Sequence, residues 1–373
     1  MNPTENHPLL LEQRQNRIFQ AITLQKPDRI PVILEYAGFA ARVTKTPLSD
    51  FSRSIPKSVE VMIRAFQMVG DADAINYGLY TPYGLSYLWM SKVKVPGIDL
   101  PEDAACQVVE IELMTTEDYD QILSEGWPKF FHDFMMNRVL EDVPPERLPF
   151  AQPPMDIKAA WSAHGIPVLS GGAISLPFEL LCGARSLTGF FTDLLTIPDK
   201  VQKVMDVIIP HIVDPACKQA KASGLPGVWI GGWRAASNMI SPALWERFAW
   251  PYIEKAVHEV IAAELVPILH LDADWTRDLP RFKSLPVGKC ILSTDGQTDL
   301  FKAKEILGNR MCLMGDVPAA MLAFGTPEEV GQYCSKLIRA LGPEGFILHS
   351  GCDIPMDAQL ANVQAMVSAA KGP

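Results

Sequence analysis

Short apolar runs alternate with longer amphipathic stretches along most of the chain. Eight of these runs predict strands, and most are continuous in apolar residues, which is typical of strands buried on both faces. The predicted strands cover residues 30–36, 72–77, 166–170, 227–230, 266–271, 289–293, 310–314 and 345–350. Helical patterns separate them, as at 241–263 and 299–307.

Start signals for helices support this division. Ser241-Pro242 places an N-cap residue before a proline at the first helical position, and Thr326-Pro-Glu-Glu repeats the signal. Eight β–α units predict an α/β fold, a (β/α)8 TIM barrel. The alternative is a doubly wound open sheet, but this fold needs an early glycine-rich phosphate-binding turn that the sequence lacks.

Two segments depart from the alternation. Residues 80–115 alternate apolar and polar positions, which predicts an antiparallel β-hairpin inserted after strand 2 and overhanging the barrel mouth. The first thirty residues predict an N-terminal helical cap that closes the barrel bottom. We therefore expect residues 1–373 to form one barrel domain with this insertion.

Composition narrows the function classes. The 373 residues are 48% hydrophobic, which is enough for a large core, and the net charge of -10 argues against nucleic acid or an anionic membrane as a partner. No apolar run approaches the roughly 20 residues of a membrane span. The polar start predicts no signal peptide, and the seven scattered cysteines form no CxxC pair. These features predict a reduced, cytoplasmic protein.

Three side chains suggest a metal site. His270 and Asp272 stand one residue apart at a strand end, so they point the same way, and Cys352 follows the last predicted strand. An imidazole, a carboxylate and a thiolate leave one tetrahedral position open, as a catalytic zinc ion requires. The alternative for each residue is structural: a strand-end histidine, an aspartate that caps a loop, and a buried cysteine.

Several motifs in this order resemble the uroporphyrinogen decarboxylase superfamily. They are Pro27-Asp-Arg-Ile-Pro-Val32, Pro177-Phe-Glu-Leu with Cys182-Gly183, Ser241-Pro-Ala-Leu-Trp, Gly315-Asp-Val-Pro and Ser350-Gly-Cys-Asp-Ile-Pro. Within the superfamily, the chain looks more similar to the cobalamin-dependent methyltransferase branch than to the decarboxylases. That resemblance implies a (β/α)8 barrel, zinc, and cobalamin carried by a partner corrinoid protein.

The chain departs from both branches of the superfamily. Methyltransferases that serve coenzyme M carry a His-x-Cys pair and a distant Cys as zinc ligands, where this sequence has His270, Asp272 and Cys352. Decarboxylases carry an arginine-rich stretch after the first strand, where this sequence reads Glu35-Tyr-Ala-Gly-Phe-Ala-Ala-Arg42. They also place an aspartate where Asn76 stands here. Because few basic residues remain to hold substrate carboxylates, we disfavour a tetrapyrrole decarboxylase.

The aspartate in place of a cysteine bears on the substrate. A carboxylate is a harder and weaker donor than a thiolate, so the metal becomes more electrophilic. This suits a substrate whose leaving group is an alkoxide or phenolate. We therefore expect an O-demethylase that moves the methyl group of an O-methyl compound, such as a methoxylated aromatic, to Co(I) of the corrinoid protein.

Further residues near predicted strand ends complete the expected site. Glu179, Asp295 and Asp316 are candidate catalytic residues, and with Glu35 they are also candidates for a fourth ligand or a partner of His270. The candidates for substrate binding are Tyr36, Tyr77, Trp229, Trp233 and Arg234. Three other functions stay open: methyl delivery from methylcobalamin to a thiol, a lyase of the decarboxylase type, and a corrinoid-protein chaperone or binding module without a metal.

Overall fold

The computed structural model describes residues 7–148, 151 and 154–371. Strands account for ten segments of these residues. They are β1 (Ile33–Leu34), β2 (Ala74–Ile75), β3 (Val93–Lys94), β4 (Gln107–Val108), β5 (Ser170–Ser175), β6 (Gly227–Gly232), β7 (Val266–Leu271), β8 (Ile291–Thr294), β9 (Cys312–Val317) and β10 (Phe346–Ser350).

Eight of the strands close into a parallel barrel. Strands β5 to β10 lie side by side in chain order, and β1 pairs with β2. A parallel bridge between Val32 and Leu348 joins β1 to β10, and one between Ile75 and Val168 joins β2 to β5. The closed ring confirms the predicted (β/α)8 TIM barrel and excludes the open sheet.

Helices surround the strands. They are α1 (His7–Ile22), α2 (Gly38–Val43), α3 (Leu48–Phe51), α4 (Ile55–Val69), α5 (Gly84–Trp89), α6 (Glu117–Glu125), α7 (Trp127–Phe134), α8 (Ile157–Ser162), α9 (Pro177–Arg185), α10 (Leu187–Thr196), α11 (Pro198–Ser223), α12 (Pro242–Phe248), α13 (Trp250–Ala262), α14 (Leu300–Leu307), α15 (Ala319–Phe324), α16 (Pro327–Leu341) and α17 (Leu360–Ala369). Short π and 3₁₀ turns occupy Met135–Val139, Pro145–Arg147 and Thr276–Ser284. Within the described part of the chain, none of the helices is both long and apolar enough to span a bilayer.

Helix α1 confirms the predicted cap at the barrel bottom. Its residues Ile18, Ala21 and Ile22 join the cluster of inward-facing side chains that fills the lower barrel. The other members of this cluster are Ile33, Ala74, Leu169, Ile268, Ile291, Cys312, Met314 and Ile347. Residues 1–6 of the predicted cap lie outside the described residues.

The predicted hairpin is also present between β2 and β5. Strands β3 and β4 pair antiparallel, with Val93 opposite Val108. Helix α5 precedes β3 and packs against α9 at Gly183, where an added Cβ would clash with the carbonyl of Trp89. The hairpin and α5 therefore sit against the helix that follows β5, at the end of the barrel where the strands finish.

Candidate metal centre and aromatic mouth

On the inward face of several strands, an aliphatic side chain is followed two residues later by a polar one. Side chains two residues apart on a strand share a face. Ile268 lies in the inward-facing lower cluster, so the imidazole of His270 faces the barrel interior above it. Glu35 likewise comes two residues after the inward-facing Ile33, and His349 comes two residues after Ile347. The fold thus brings a ring of polar groups to the upper end of the barrel.

Three of the polar groups meet in one cluster. Glu35, His270 and Cys352 each offer a ligand atom, and these atoms lie within 4.8 Å of one another. Asp272 lies outside this mutual set, but its Oδ1 is 3.2 Å from Nε2 of His270. The closure of β10 onto β1 brings Glu35 to the cluster, whereas His270 and Asp272 share one strand end.

The electrostatics of the cluster favour a bound cation. Burial opposes a charge on His270, but Glu35 and the neighbouring Asp272 and Cys352 outweigh it and hold the imidazole pKa well above its usual value. Burial raises the pKa of the Cys352 thiol to about 11. Burial also raises the pKa of the Glu35 carboxyl, and His270 opposes this shift. The cluster would hold a metal ion through the deprotonated Cys352 thiolate, and the ion's charge would offset that of the neighbouring carboxylates.

Unpaired atoms and donor chemistry both fit zinc. Nδ1 of His270 is buried and has no hydrogen-bond partner among the described residues. An unpaired buried polar group costs about 1–3 kcal/mol, so such atoms usually have a partner that completes the site. Imidazole, thiolate and carboxylate are the ligand types that catalytic zinc takes. Glu35, His270, Asp272 and Cys352 are the residues that would hold it.

Two structural contacts place the loops that carry these ligands. Oδ2 of Asp295 accepts the backbone N–H of Ala273 at 2.9 Å, and its Oδ1 accepts that of Gln297. Gly351 packs against the backbone of Asp295 so closely that a Cβ would clash. The loop after β8 therefore supports the neighbours of both Asp272 and Cys352. The predicted catalytic role of Asp295 stays a prediction.

An aromatic wall leads from the cluster to the insertion. The ring of Trp229 lies 5.4 Å from that of His270 and 6.4 Å from that of Trp233. Trp233 in turn stacks on Trp89 of α5, with centroids 4.7 Å apart. On another side of the mouth, the Tyr77 hydroxyl donates to Asp353. Three of the predicted substrate-binding residues, Tyr77, Trp229 and Trp233, thus line or adjoin the mouth.

Glu179 and Arg234 connect the wall to the scaffold. Glu179 is fully buried and accepts the backbone N–H groups of Trp233, Arg234 and Ala235 at 2.9–3.0 Å. Burial raises its pKa to about 7, although these hydrogen bonds oppose the shift. Glu179 therefore anchors the loop that presents Trp233, and its predicted catalytic role remains a prediction.

The guanidinium of Arg234 is occupied by protein groups. It donates to the carbonyl of Cys182 at 2.9 Å and pairs with Glu110, next to β4. It also lies 4.9 Å from the ring centroid of Trp89. These contacts fasten the hairpin insertion to the barrel, so substrate binding by Arg234 stays a prediction.

Two predicted residues point away from the cluster. Tyr36 is fully buried, and its hydroxyl donates to the carbonyl of Met62 in α4 at 2.8 Å. Asp316, at the end of β9, accepts the hydroxyl of Tyr333 at 2.7 Å, and burial raises its pKa to about 6. Roles in substrate binding and catalysis stay predictions for these two residues.

The structure adds three residues that the sequence did not single out for the site. Asn76 donates its amide N–H to Oε2 of Glu35. His349 lies 3.7 Å from the same oxygen, and burial lowers its pKa to about 3. Asp353 is exposed as a whole residue, but desolvation of its carboxyl group and the charge of Glu35 raise its pKa to about 7. Alternation along β10 could have identified His349, because Ile347, two residues earlier, faces the barrel interior.

Comparison with known proteins identifies the family. The barrel with ligand-type side chains at its mouth defines the class as a TIM-barrel protein with a candidate metal centre. The family profile "Uroporphyrinogen decarboxylase (URO-D)" matches residues 138–372. The chain therefore belongs to the uroporphyrinogen decarboxylase family.

Curated relatives carry two different activities in their names. A uroporphyrinogen decarboxylase from Chlorobium luteolum is 26% identical over 218 residues, which cover 57% of each chain. The methylcobamide:CoM methyltransferase MtbA from Methanosarcina mazei is 28% identical over 209 residues, covering 55% of this chain and 58% of the relative. The matched regions thus span less than two thirds of either relative.

A solved structure extends the similarity along the chain. A methyltransferase from Methanosarcina mazei superposes with a TM-score of 0.69, covering 96% of this chain and 98% of the other at 16% identity. At this identity the match supports the fold and not the activity.

Proposed function

We propose that this protein is a zinc-dependent methyltransferase that acts with a corrinoid protein. In this proposal, it takes the methyl group of an O-methyl compound, with a methoxylated aromatic as the expected class, and passes it to Co(I) of the corrinoid. The observation that carries the proposal is the cluster of Glu35, His270 and Cys352 within 4.8 Å, beside an aromatic wall. The relative named as a methylcobamide methyltransferase supports the same class of reaction.

The reaction is an in-line displacement at the methyl carbon. The C–O bond breaks with its electron pair left on oxygen, and Co(I) supplies the pair that forms the Co–C bond. Zinc, when bound, supplies a Lewis acid for the departing oxygen. The residues of the chain hold the two reactants in line and exclude water, which can supply a large share of the rate.

The aromatic wall is suited to hold a flat substrate. Trp229 stands next to His270, so a ring stacked along Trp229 and Trp233 would keep its methoxy group close to the ligand cluster. Arg234 and Glu179 contribute by fixing Trp233 and Trp89, and not by contact with the substrate. The indole N–H of Trp233 is buried without a partner among the described residues, which leaves one donor for a polar substituent.

Two other reactions compete with this proposal. The name of the MtbA relative favours the reverse role, in which a methylated corrinoid gives its methyl group to a thiol. Relatives named as decarboxylases favour removal of carboxylates. The pairing of Arg234 argues against the second, since its guanidinium is bound to Glu110 and is not free to hold a substrate carboxylate.

Metal content tests the centre. We expect about one zinc per chain in the wild-type protein, and loss of zinc in His270→Ala and Cys352→Ala. Cys290→Ala is the matched control, because Cys290 is a buried cysteine before β8 that lies outside the cluster. Elemental mass spectrometry on folded protein gives the count. Wild-type protein that stays free of zinc after zinc is supplied would overturn the proposed centre.

Activity on a panel of substrates tests the reaction. Zinc-loaded protein is mixed with a Co(I) corrinoid protein and methoxylated aromatics, and loss of the Co(I) absorption reports methylation of cobalt. Parallel reactions supply methylcobalamin with a thiol, or uroporphyrinogen. Turnover of the ethers supports the proposal. Turnover only with the thiol, or only with uroporphyrinogen, assigns one of the competing reactions instead.

A further inference from the structure

His349 is a buried histidine whose ring nitrogens both lack a partner. Its side chain is fully inaccessible to solvent, and neither Nδ1 nor Nε2 makes a hydrogen bond with another described residue. A neutral imidazole carries one N–H donor and one acceptor, and an imidazolium carries two donors. An N–H is therefore available in either protonation state. Leaving such a group unpaired costs about 1–3 kcal/mol, which calls for a reason.

His349 lies beside the carboxyl group of Glu35. Nε2 of His349 lies 3.7 Å from Oε2 of Glu35, slightly beyond hydrogen-bond distance. Asn76 donates to the same oxygen, and its own carbonyl accepts the Ser170 hydroxyl at 2.8 Å, which fixes the amide. Oε2 therefore has one donor and a ring nitrogen close by, whereas no donor to Oε1 is found among the described residues.

We propose that His349 is a positioning residue for the metal centre: its ring N–H binds Oε2 of Glu35 and orients Oε1 toward the metal. This inference rests on the proposed zinc site and adds a residue to it. A hydrogen bond to the far oxygen of a ligating carboxylate restricts its rotation, so less conformational entropy is lost when the metal binds. Closing the gap from 3.7 Å to a hydrogen bond requires only a small side-chain movement.

Strand β10 makes this arrangement possible. His349 belongs to β10, and Cys352 follows the same strand after the turn at Gly351. Glu35 follows β1, which is bridged to β10 between Val32 and Leu348. The residue that orients the carboxylate and the residue that supplies the thiolate are therefore placed by one element. A shift of β10 relative to β1 would disturb both together.

Zinc affinity of two variants at position 349 tests the inference. His349→Leu removes the donor at similar size, and we expect zinc affinity to fall about tenfold or more, as for other partners of metal ligands. His349→Gln keeps an N–H donor and should retain most of the affinity. Ile347→Val is the control, because it alters the inward face of the same strand below the site and should leave affinity unchanged. Competition with a chelator gives the affinities.

A double-mutant cycle separates orientation of Glu35 from a general structural effect. In a Glu35→Gln background, His349→Leu should change zinc affinity less than about twofold, because the partner is already altered. The absorption spectrum of the cobalt(II)-loaded protein should change with His349→Leu and revert with His349→Gln. An equal loss in both backgrounds, or unchanged affinity in His349→Leu, would falsify the inference.

The result is separable from that of the proposed centre. If wild-type protein binds zinc through His270 and Cys352 but ignores changes at His349, the inference fails and the centre stands. If wild-type protein binds no zinc, both are overturned. Thermal unfolding of each variant confirms that the folded state is measured, and should His349→Leu not fold, His349→Phe, which also lacks a ring N–H, takes its place in the cycle.

Discussion

At the scale of single residues, side chains only two positions apart on the same strand belong to the apolar core and to the candidate metal site. Ile268 and Ile347 fill the lower barrel, while His270 and His349 stand directly above them on the same inward faces. The aliphatic side chains below supply a dry and closely packed floor. Polar groups set on such a floor keep fixed positions and strong mutual interactions, because no water competes for them from below.

Glu179 predicts a pH dependence of stability at this scale. Burial raises its pKa to about 7, against about 4.3 in an unfolded chain. Between these values the folded protein binds more protons than the unfolded one, so the free energy of unfolding falls as the pH rises and levels off above pH 7. We expect this residue alone to contribute a fall of about 4 kcal/mol.

Urea unfolding of Glu179→Gln between pH 4.5 and 8 measures that contribution. The glutamine cannot ionise, so the difference in unfolding free energy from wild type should shift in favour of the variant as the pH rises. Glu12→Gln, at an exposed position in α1, should follow wild type throughout. Parallel curves for wild type and Glu179→Gln would show that the buried carboxyl does not titrate in this window.

Part of the candidate site could be predicted from the sequence because its residues lie at the ends of strands. His270 lies near the end of β7 and Cys352 follows β10, and strand ends in a barrel converge, so local pattern was enough for both. Asp272 stood out because it shares a strand end with His270, whereas Glu35 reaches the cluster only through the pairing of β1 with β10. Tyr36 follows Glu35 and therefore faces α4, which alternation along the strand predicts.

At the scale of elements, the insertion is held to the barrel by a close backbone approach. Helix α5 ends at Trp89, whose carbonyl lies where the Cβ of residue 183 would be if this were not glycine. Arg234 adds a contact from the loop after β6 to Glu110 beside β4. The position of Trp89, and with it the outer part of the aromatic wall, depends on these two contacts.

Gly183→Ala should displace the insertion. The added methyl group forces Trp89 away, and we expect a loss of about 1–3 kcal/mol of unfolding free energy with a change in tryptophan fluorescence, but no loss of zinc. Gly331→Ala is the matched control, a glycine in α16 with open space around its Cβ, where better helix propensity should add about 0.5–1 kcal/mol. Denaturation curves and the zinc content of both variants test these expectations. Similar behaviour of the two variants would contradict the proposed docking contact.

The ends of the helices and strands show which boundaries could be predicted from sequence patterns. Ser241 and Thr326 cap their helices as predicted, and Thr326 forms a full capping box with Glu329. The predicted helix 241–263 is two helices, broken at Ala249 before Pro251, because the missing proline N–H and its ring oppose continuation of the first helix. Strands β1 and β2 are shorter than predicted, since regular pairing there is limited to two residues.

At the scale of the whole molecule, the two ends of the barrel carry separate tasks. At the bottom, the buried carboxylate of Asp73 accepts Arg17 at 2.5 Å, Arg29 at 2.8 Å and the backbone N–H of Val32 at 2.7 Å. This network ties helix α1 to the first two strands. At the mouth, the carboxylate of Glu35 is instead left beside ligand-type groups. The barrel core between them separates the two sets of charges.

Reciprocal variants test this separation. Asp73→Asn leaves two arginines without their shared buried partner, so we expect the unfolding free energy to fall by about 3 kcal/mol while the folded fraction keeps its zinc affinity. Glu35→Gln should do the opposite: zinc affinity falls by about tenfold or more, and stability of the metal-free protein changes by less than about 1 kcal/mol, because burial already disfavours the ionised carboxyl. Urea unfolding and chelator competition on both variants give the four values. Loss of zinc affinity in folded Asp73→Asn would mean that strain at the bottom reaches the mouth, and the two ends would then have to be treated as one coupled unit.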